Sequence, residues 1–123
     1  MKIEYLKEEV KEQCTSLKAA RKLFGGNEEL VKKLMSRINA FTAADTIKDI
    51  IKQKQFRFHK LNNKGDKKLE GYFAVDVKSP KEPWRIILQP LDPDGKPYDP
   101  CNIDEIAGMV RIIEITEVSK HYE

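Results

Sequence analysis

Two cysteines and two histidines are the whole supply of thiol and imidazole in these 123 residues, and that scarcity removes several chemistries. Cys14 and Cys101 belong to no Cys-x-x-Cys or Cys/His pattern, and His59 and His121 stand 62 positions apart, so no metal-ligand spacing exists. No glycine-rich phosphate loop or dinucleotide fingerprint occurs; the lone "FGGN" reads as a helix stop, and no cofactor is expected. No serine sits in a nucleophile elbow. Nothing approaches the roughly 18 consecutive apolar residues of a membrane span, so no membrane association is expected. "MKIEYLKEEV" lacks the apolar stretch and small-residue cleavage site of a secretory leader. With no export signal, the cysteines read as free thiols and the protein as cytoplasmic.

Charge, by contrast, is abundant. Charged residues make up 35% of the chain and hydrophobic ones 40%, the balance of a folded domain with a heavily charged exterior. The length suits one domain, residues 1–123, with a single modest core. The formal net charge of +3 says little, but its distribution is uneven. Residues 52–91 carry ten basic and four acidic groups, whereas residues 92–123 carry three and eight. Within 52–68, seven Lys or Arg face Asp66 alone. Such a block attracts polyanions at long range, although a solvated lysine face accounts for the charge equally well.

Periodicity divides the chain in two. "KIEYL" alternates and predicts a first strand. Val10, Cys14, Leu17, Ala20 and Phe24 recur at helical steps and predict one amphipathic helix over 8–24, stopped by Gly25-Gly26. Asn27 is a good N-cap for a second helix with Leu30, Leu34, Ile38 and Phe41 on one stripe. A short helical turn follows Asp45. After residue 53 the period becomes that of strands: "QFRFHKL", "GYFAVDVK", "WRIILQPL" closed by Pro90, and "MVRIIEITEV", the best candidate for a central strand. Lys64-Gly65-Asp66 marks a turn, and Ile103 and Ile106 mark a helical turn within a polar, proline-rich loop. The expected fold is α+β in the order β-α-α-β-β-β-β. A twisted, mostly antiparallel sheet carries a helical hairpin on one face and leaves the other open for function.

Some polar residues of the second half stand out. Arg85, Ile87 and Gln89 share one strand face, so Arg85 needs either a partner, for which Asp76 on the neighbouring strand is available, or an open concave surface. His59 ends a strand, where a solvated or packed imidazole is the plainer reading and an acid/base catalyst the sharper one. "HYE", residues 121–123, follows the candidate central strand directly and falls at the sheet's rim.

Taken together, "CTSLKAARKLFG", "RINAFTAADTIKDII", "FHKLNNKGDKK", "GYFAVDV", "WRIILQP" and "VRIIEITEVSKHYE" resemble, nearly end to end, the HigB-like branch of the RelE/ParE toxin superfamily. The resemblance implies a RelE/ParE-like fold and the toxin of a type II toxin–antitoxin pair. Such a toxin is a metal-independent endoribonuclease that cuts mRNA on the translating ribosome and is held inactive by a helix-turn-helix (HigA-like) antitoxin. In that chemistry an RNA 2′-hydroxyl attacks the adjacent phosphate, which needs a base, an acid and cations. Matched by motif, His59 is the leading general acid/base, Arg85 stabilises the transition state, and Tyr122 stacks on a base or shares the proton transfer. Lys64 and Lys67 bind phosphate, with Lys60 and Lys68 beside them in the basic stretch. The chain departs from the pattern in three ways. Asn62-Asn63 before Lys64 and Leu69-Glu70 after Lys68 lengthen the tip, Lys67 replaces an arginine, and His121-Tyr122-Glu123 stands where Asp-Tyr-His is expected, which adds His121 and Glu123 as acid/base candidates. Two other readings keep the fold: a ParE-like DNA gyrase inhibitor that acts by binding, and an inactive interaction or RNA-binding module.

Overall fold

The computed structural model describes residues 1–123. Strand β1 (Lys2–Tyr5) leads into helices α1 (Glu8–Thr15), α2 (Leu17–Leu23) and α3 (Glu28–Ala43), then the short α4 (Ile47–Ile51) and a 3-10 turn at Lys54–Phe56. Strands β2 (His59–Lys60), β3 (Phe73–Asp76) and β4 (Arg85–Leu91) follow, then α5 (Ile103–Ile106) and β5 (Ile112–Ser119). The five strands form one mixed sheet in the order β1-β5-β4-β3-β2, parallel only between β1 and β5. The protein is therefore a small α+β domain with a mostly antiparallel sheet. No helix is long and apolar enough to cross a membrane.

The helices bury their apolar stripes against one sheet face. Val10, Leu34, Ile38 and Phe41 meet Phe73, Val75, Ile86, Leu88, Ile113 and Ile115 in a core cluster of 22 buried residues. Arg37 also lies on this buried side, its guanidinium 4.5 Å over the Phe56 ring and its Nε donating to the Asp76 carbonyl at 3.0 Å. Burial lowers its pKa from the usual arginine value, with the Asp76 charge opposing.

Several expected boundaries are corrected. The single helix predicted over 8–24 is two: Ser16 is extended, at φ −121° and ψ 124°, and its hydroxyl accepts from Ala19 N–H at 3.3 Å. A serine offers this N-cap more readily than it continues a helix. Gly25 and Gly26, both at positive φ, then close α2 as expected, and Asn27 caps α3 by accepting from Leu30 N–H at 3.2 Å. "QFRFHKL" is mostly not a strand, because Arg57 turns left-handed at φ +46° and leaves only His59–Lys60 paired. Pro90 does not close β4 but pairs with Ile113 inside it. β3 is paired no further than Leu88, so the proline's missing N–H faces an edge and costs no ladder bond. "MVRIIEITEV" does become an interior strand, β5, between β1 and β4.

The second sheet face is less open than expected. Leu61, Leu69, Ala74 and Ile87 form a buried cluster there, with Tyr72 and Tyr122 packed on it. The 57–72 segment and the 120–123 segment thus fold back over part of the sheet.

Both cysteines are free thiols, and burial in the core pushes Cys14 up to about 12. An unfolded thiol ionises near pH 8.5. The native thiol's stabilising contribution is therefore complete below that pH and is lost as pH rises from about 9 toward 12, by up to about 1.4 kcal/mol per pH unit. In urea unfolding at pH 8 and pH 10, wild type should lose more stability than Cys14→Ala, and Cys101 should react with thiol reagents well before Cys14.

Candidate functional site

Asp76 ends β3 with its carboxylate fully buried, opposite Arg85 in the β3–β4 register. Arg57 grips it from the left-handed turn, Nε donating to Oδ2 at 2.8 Å and Nη2 to Oδ1 at 3.0 Å. Arg85 Nε lies 3.2 Å from Oδ1. A left-handed non-glycine residue costs about 1–2 kcal/mol, and this bidentate pair supplies the compensating contact. The His59 ring closes the same turn, with Nδ1 2.6 Å from the Arg57 carbonyl oxygen. A carbonyl only accepts, so Nδ1 is the donor of this bond. The ring's Nε2 is buried without a partner.

Arg85 takes the paired reading. Its guanidinium donates to the carbonyls of Ser79 at 3.3 Å, Pro80 at 3.0 Å and Trp84 at 3.0 Å, and also to that of Glu82. Its Nε and Arg57 Nη2 both donate to the main-chain oxygen of Glu123, at 3.2 and 2.8 Å. The residue predicted to meet substrate is thus buried with its N–H groups engaged, and its geometry is that of an anchor for the 120–123 segment.

This anchoring sets out Tyr122. The Tyr122 hydroxyl donates to Glu117 Oε2 on β5 at 2.9 Å and receives from Lys67 Nζ at 3.3 Å, while Lys67 Nζ also stands 5.1 Å from the centre of the Tyr122 ring. Lys67 belongs to a tight hairpin whose residues Lys64 and Lys67 exchange both main-chain bonds. Gly65, at φ +59°, takes the first central position of this turn, which favours glycine. Lys64 Nζ reaches the His121 carbonyl at 3.5 Å, and Asn62 N–H donates to Glu123 Oε1 at 3.3 Å. Hairpin tip and C-terminal segment therefore meet.

A cleft of about 630 Å³ opens beside this meeting point. Lys67, Lys68, Tyr72 and Tyr122 line one side; Trp84, Lys120 and His121 line the rim; Lys7 and Gln13 line the helical wall. Lys120 Nζ sits 5.8 Å from the Trp84 ring centre, and Trp84 is braced edge-on by Phe24 at 5.0 Å. Four lysines against the carboxylates of Glu9 and Glu117, interleaved with aromatic faces, make a surface suited to a single-stranded polyanion.

Of the residues predicted from sequence, Lys67, Lys68, His121 and Tyr122 line this cleft. Lys64 and Glu123 line a smaller adjoining pocket. His59 lines neither, and Lys60 approaches Cys101 closely enough to oppose the burial-driven rise of that thiol's pKa, away from the cleft. Glu117, Lys7 and Lys120 were not foreseen. Strict alternation would put Glu117 on the core face with Ile113 and Ile115; the register shift opposite Ile87/Leu88, where Thr116 is the extra residue, turns it to the other face and to Tyr122, and no sequence signal announced that shift. The chain matches no family model and no curated protein sequence.

Removing the Asp76 charge strands two guanidiniums, and breaking a buried pair in this way costs about 3–5 kcal/mol. Asp76→Ala should therefore lower the urea midpoint by that equivalent and loosen residues 120–123 in amide NMR relaxation. Asp66→Ala, at the exposed tip, should do neither.

Proposed function

We propose that the protein is a metal-independent endoribonuclease with a RelE/ParE-like fold. On this reading it is the toxin of a toxin–antitoxin pair, acting on ribosome-presented mRNA and neutralised by a helix-turn-helix antitoxin. The observation that carries this reading is the Lys67–Tyr122–Glu117 array at the wall of a lysine-lined cleft. A 2′-hydroxyl entering the cleft finds a phenol already bonded to a carboxylate, a path along which its proton can leave. The Lys67 ammonium beside that phenol, with Lys68 and Lys120 nearby, offsets the charge that gathers on a phosphorane-like transition state. His121 at the rim is the available acid for the departing 5′-oxygen. His59 and Arg85 act through other groups in this scheme, His59 by fixing the Arg57 turn and Arg85 by fixing the segment that carries Tyr122. Holding the nucleotide in line supplies much of the rate, and a ribosome that presents the strand would provide that alignment.

A second reading, RNA binding without cleavage, draws on the engagement of Arg85, which removes one cation from the surface. Induced expression separates the two. A nuclease arrests growth and produces new mRNA 5′ ends only while ribosomes translate. Equal cutting of naked RNA excludes the ribosome-dependent form, and arrest with gyrase-linked DNA breaks and intact mRNA points to gyrase. Tyr122→Phe and Lys67→Ala should each cut the cleavage rate about 100-fold or more, and His59→Gln should cost less. Unchanged cleavage in both of the first pair removes this site.

A further inference from the structure

The smaller pocket adjoining the cleft has a volume of about 180 Å³. Its walls are Leu61, Leu69, Asn62, Asn63, Lys64, Tyr122 and Glu123. Leu61 and Leu69 give it an apolar floor, and Tyr122 gives it an aromatic side. Tyr122 and Leu69 also line the large cleft, so the two spaces meet at the residue whose hydroxyl carries the proposed chemistry.

The polar groups of this pocket are complementary rather than uniformly basic. Asn63 Oδ1 accepts from Leu69 N–H at 2.8 Å, which fixes the carboxamide and leaves its NH₂ as a donor. Lys64 adds an ammonium, bonded only at 3.5 Å to the His121 carbonyl. Glu123 Oε1 accepts from Asn62 N–H at 3.3 Å, leaving Oε2 and a second lone pair on Oε1 as acceptors. The Asn62 side chain itself makes no hydrogen bond. A pocket with an apolar floor, an amide and ammonium donor and a carboxylate acceptor matches the edge of guanine. Its O6 and N7 accept, and its N1–H and N2–H₂ donate side by side to a carboxylate. Adenine offers no such adjacent pair of donors, and pyrimidines present fewer groups to both ends.

We infer that this pocket is a guanine-binding subsite, formed by Asn62, Asn63, Lys64 and Glu123 against the Tyr122 ring. It selects the nucleotide whose ribose lies at the Lys67–Tyr122–Glu117 array. The inserted-looking asparagines of the tip are then specificity residues. The placement of the ribose rests on the ribonuclease reading; the binding of the base does not.

Titration of ¹⁵N-labelled protein with guanosine 3′-monophosphate, followed on the Asn62 and Asn63 side-chain NH₂ signals, tests the pocket directly. Saturable shifts centred on these signals, with adenosine and uridine 3′-monophosphates binding about tenfold more weakly or worse, are expected, since one bidentate base contact is worth about 1–3 kcal/mol. Asn63→Asp keeps the acceptor for Leu69 N–H but replaces the donor with a carboxylate, and Glu123→Gln removes one acceptor oxygen. Each should erase the guanine preference with an unchanged circular dichroism spectrum. Equal binding of all three nucleotides, no binding, or shifts confined to other residues would overturn the inference. Mapping RNA ends separates the two proposals. Guanine preference in the titration without any RNA cleavage defeats the nuclease and leaves the pocket standing. RNA cleavage without guanine preference in either assay defeats the pocket and leaves the nuclease.

Discussion

A single buried carboxylate, that of Asp76, holds the functional side of this protein in place. Isolation of such an ion from water costs several kcal/mol, so it persists only where its lone pairs are filled. Arg57 donates to both carboxylate oxygens from the turn before β2, Arg85 stands within ion-pair distance from β4, and Arg37 takes the Asp76 main-chain oxygen from α3. Three guanidiniums around one carboxylate leave an excess of positive charge, which the carbonyls of Ser79, Pro80, Glu82, Trp84 and Glu123 offset. One node therefore ties together a helix, two strands, the β3–β4 connection and the C-terminal segment.

The consequence for the cleft is a division between groups that line it and groups that hold those in place. Tyr122, Lys67 and Glu117 come from three separate segments, and none of the three is deeply enclosed. Their mutual placement depends on where residue 123 is pinned and on how the tip hairpin closes at Gly65. As the proposed reaction site the cleft needs a rigid support, because small errors in the position of reacting groups cost large factors in rate. The left-handed Arg57 fits this account. Backbone strain there persists because the Asp76 pair and the His59 ring both hold it.

Much of the fold was legible because its signals are local. The period change near residue 53, the caps at Asn27 and Gly25-Gly26, and the two β-branched strands all follow from neighbouring residues. What the sequence hid is set by contacts distant along the chain. Arg57 sits in an alternating "QFRFHKL" whose pattern predicts a strand, and only Asp76, 19 positions on, turns it. The Arg85–Asp76 pair was one of two readings, and the strand pattern alone could not choose, because the register that sets them opposite forms only in the folded sheet. Arg37 is different: it falls between Leu34, Ile38 and Phe41 on the apolar stripe, so its burial carried a sequence signal. The residues that line the cleft divide the same way. Tyr122 and the tip lysines stood in recognisable motifs, whereas Lys7 and Lys120 reach it only through the packing of α1 against β5.

Lys67 occupies the position where a guanidinium would give a planar, bidentate grip on phosphate. In this structure the ammonium has a geometric role of its own. An ammonium carries three rotatable donors around a compact charge. One of them reaches the Tyr122 hydroxyl while the charge stays 5.1 Å from the ring centre, leaving two directed elsewhere. A rigid fork would have to choose between lying flat on the ring and pointing its donors at the phenol. With Glu117 accepting from the same hydroxyl, the phenol is held from both sides, and the cation nearest to it remains free to meet an anion. Lys67 and Glu117 therefore position Tyr122 together, from two elements that meet only in the folded chain.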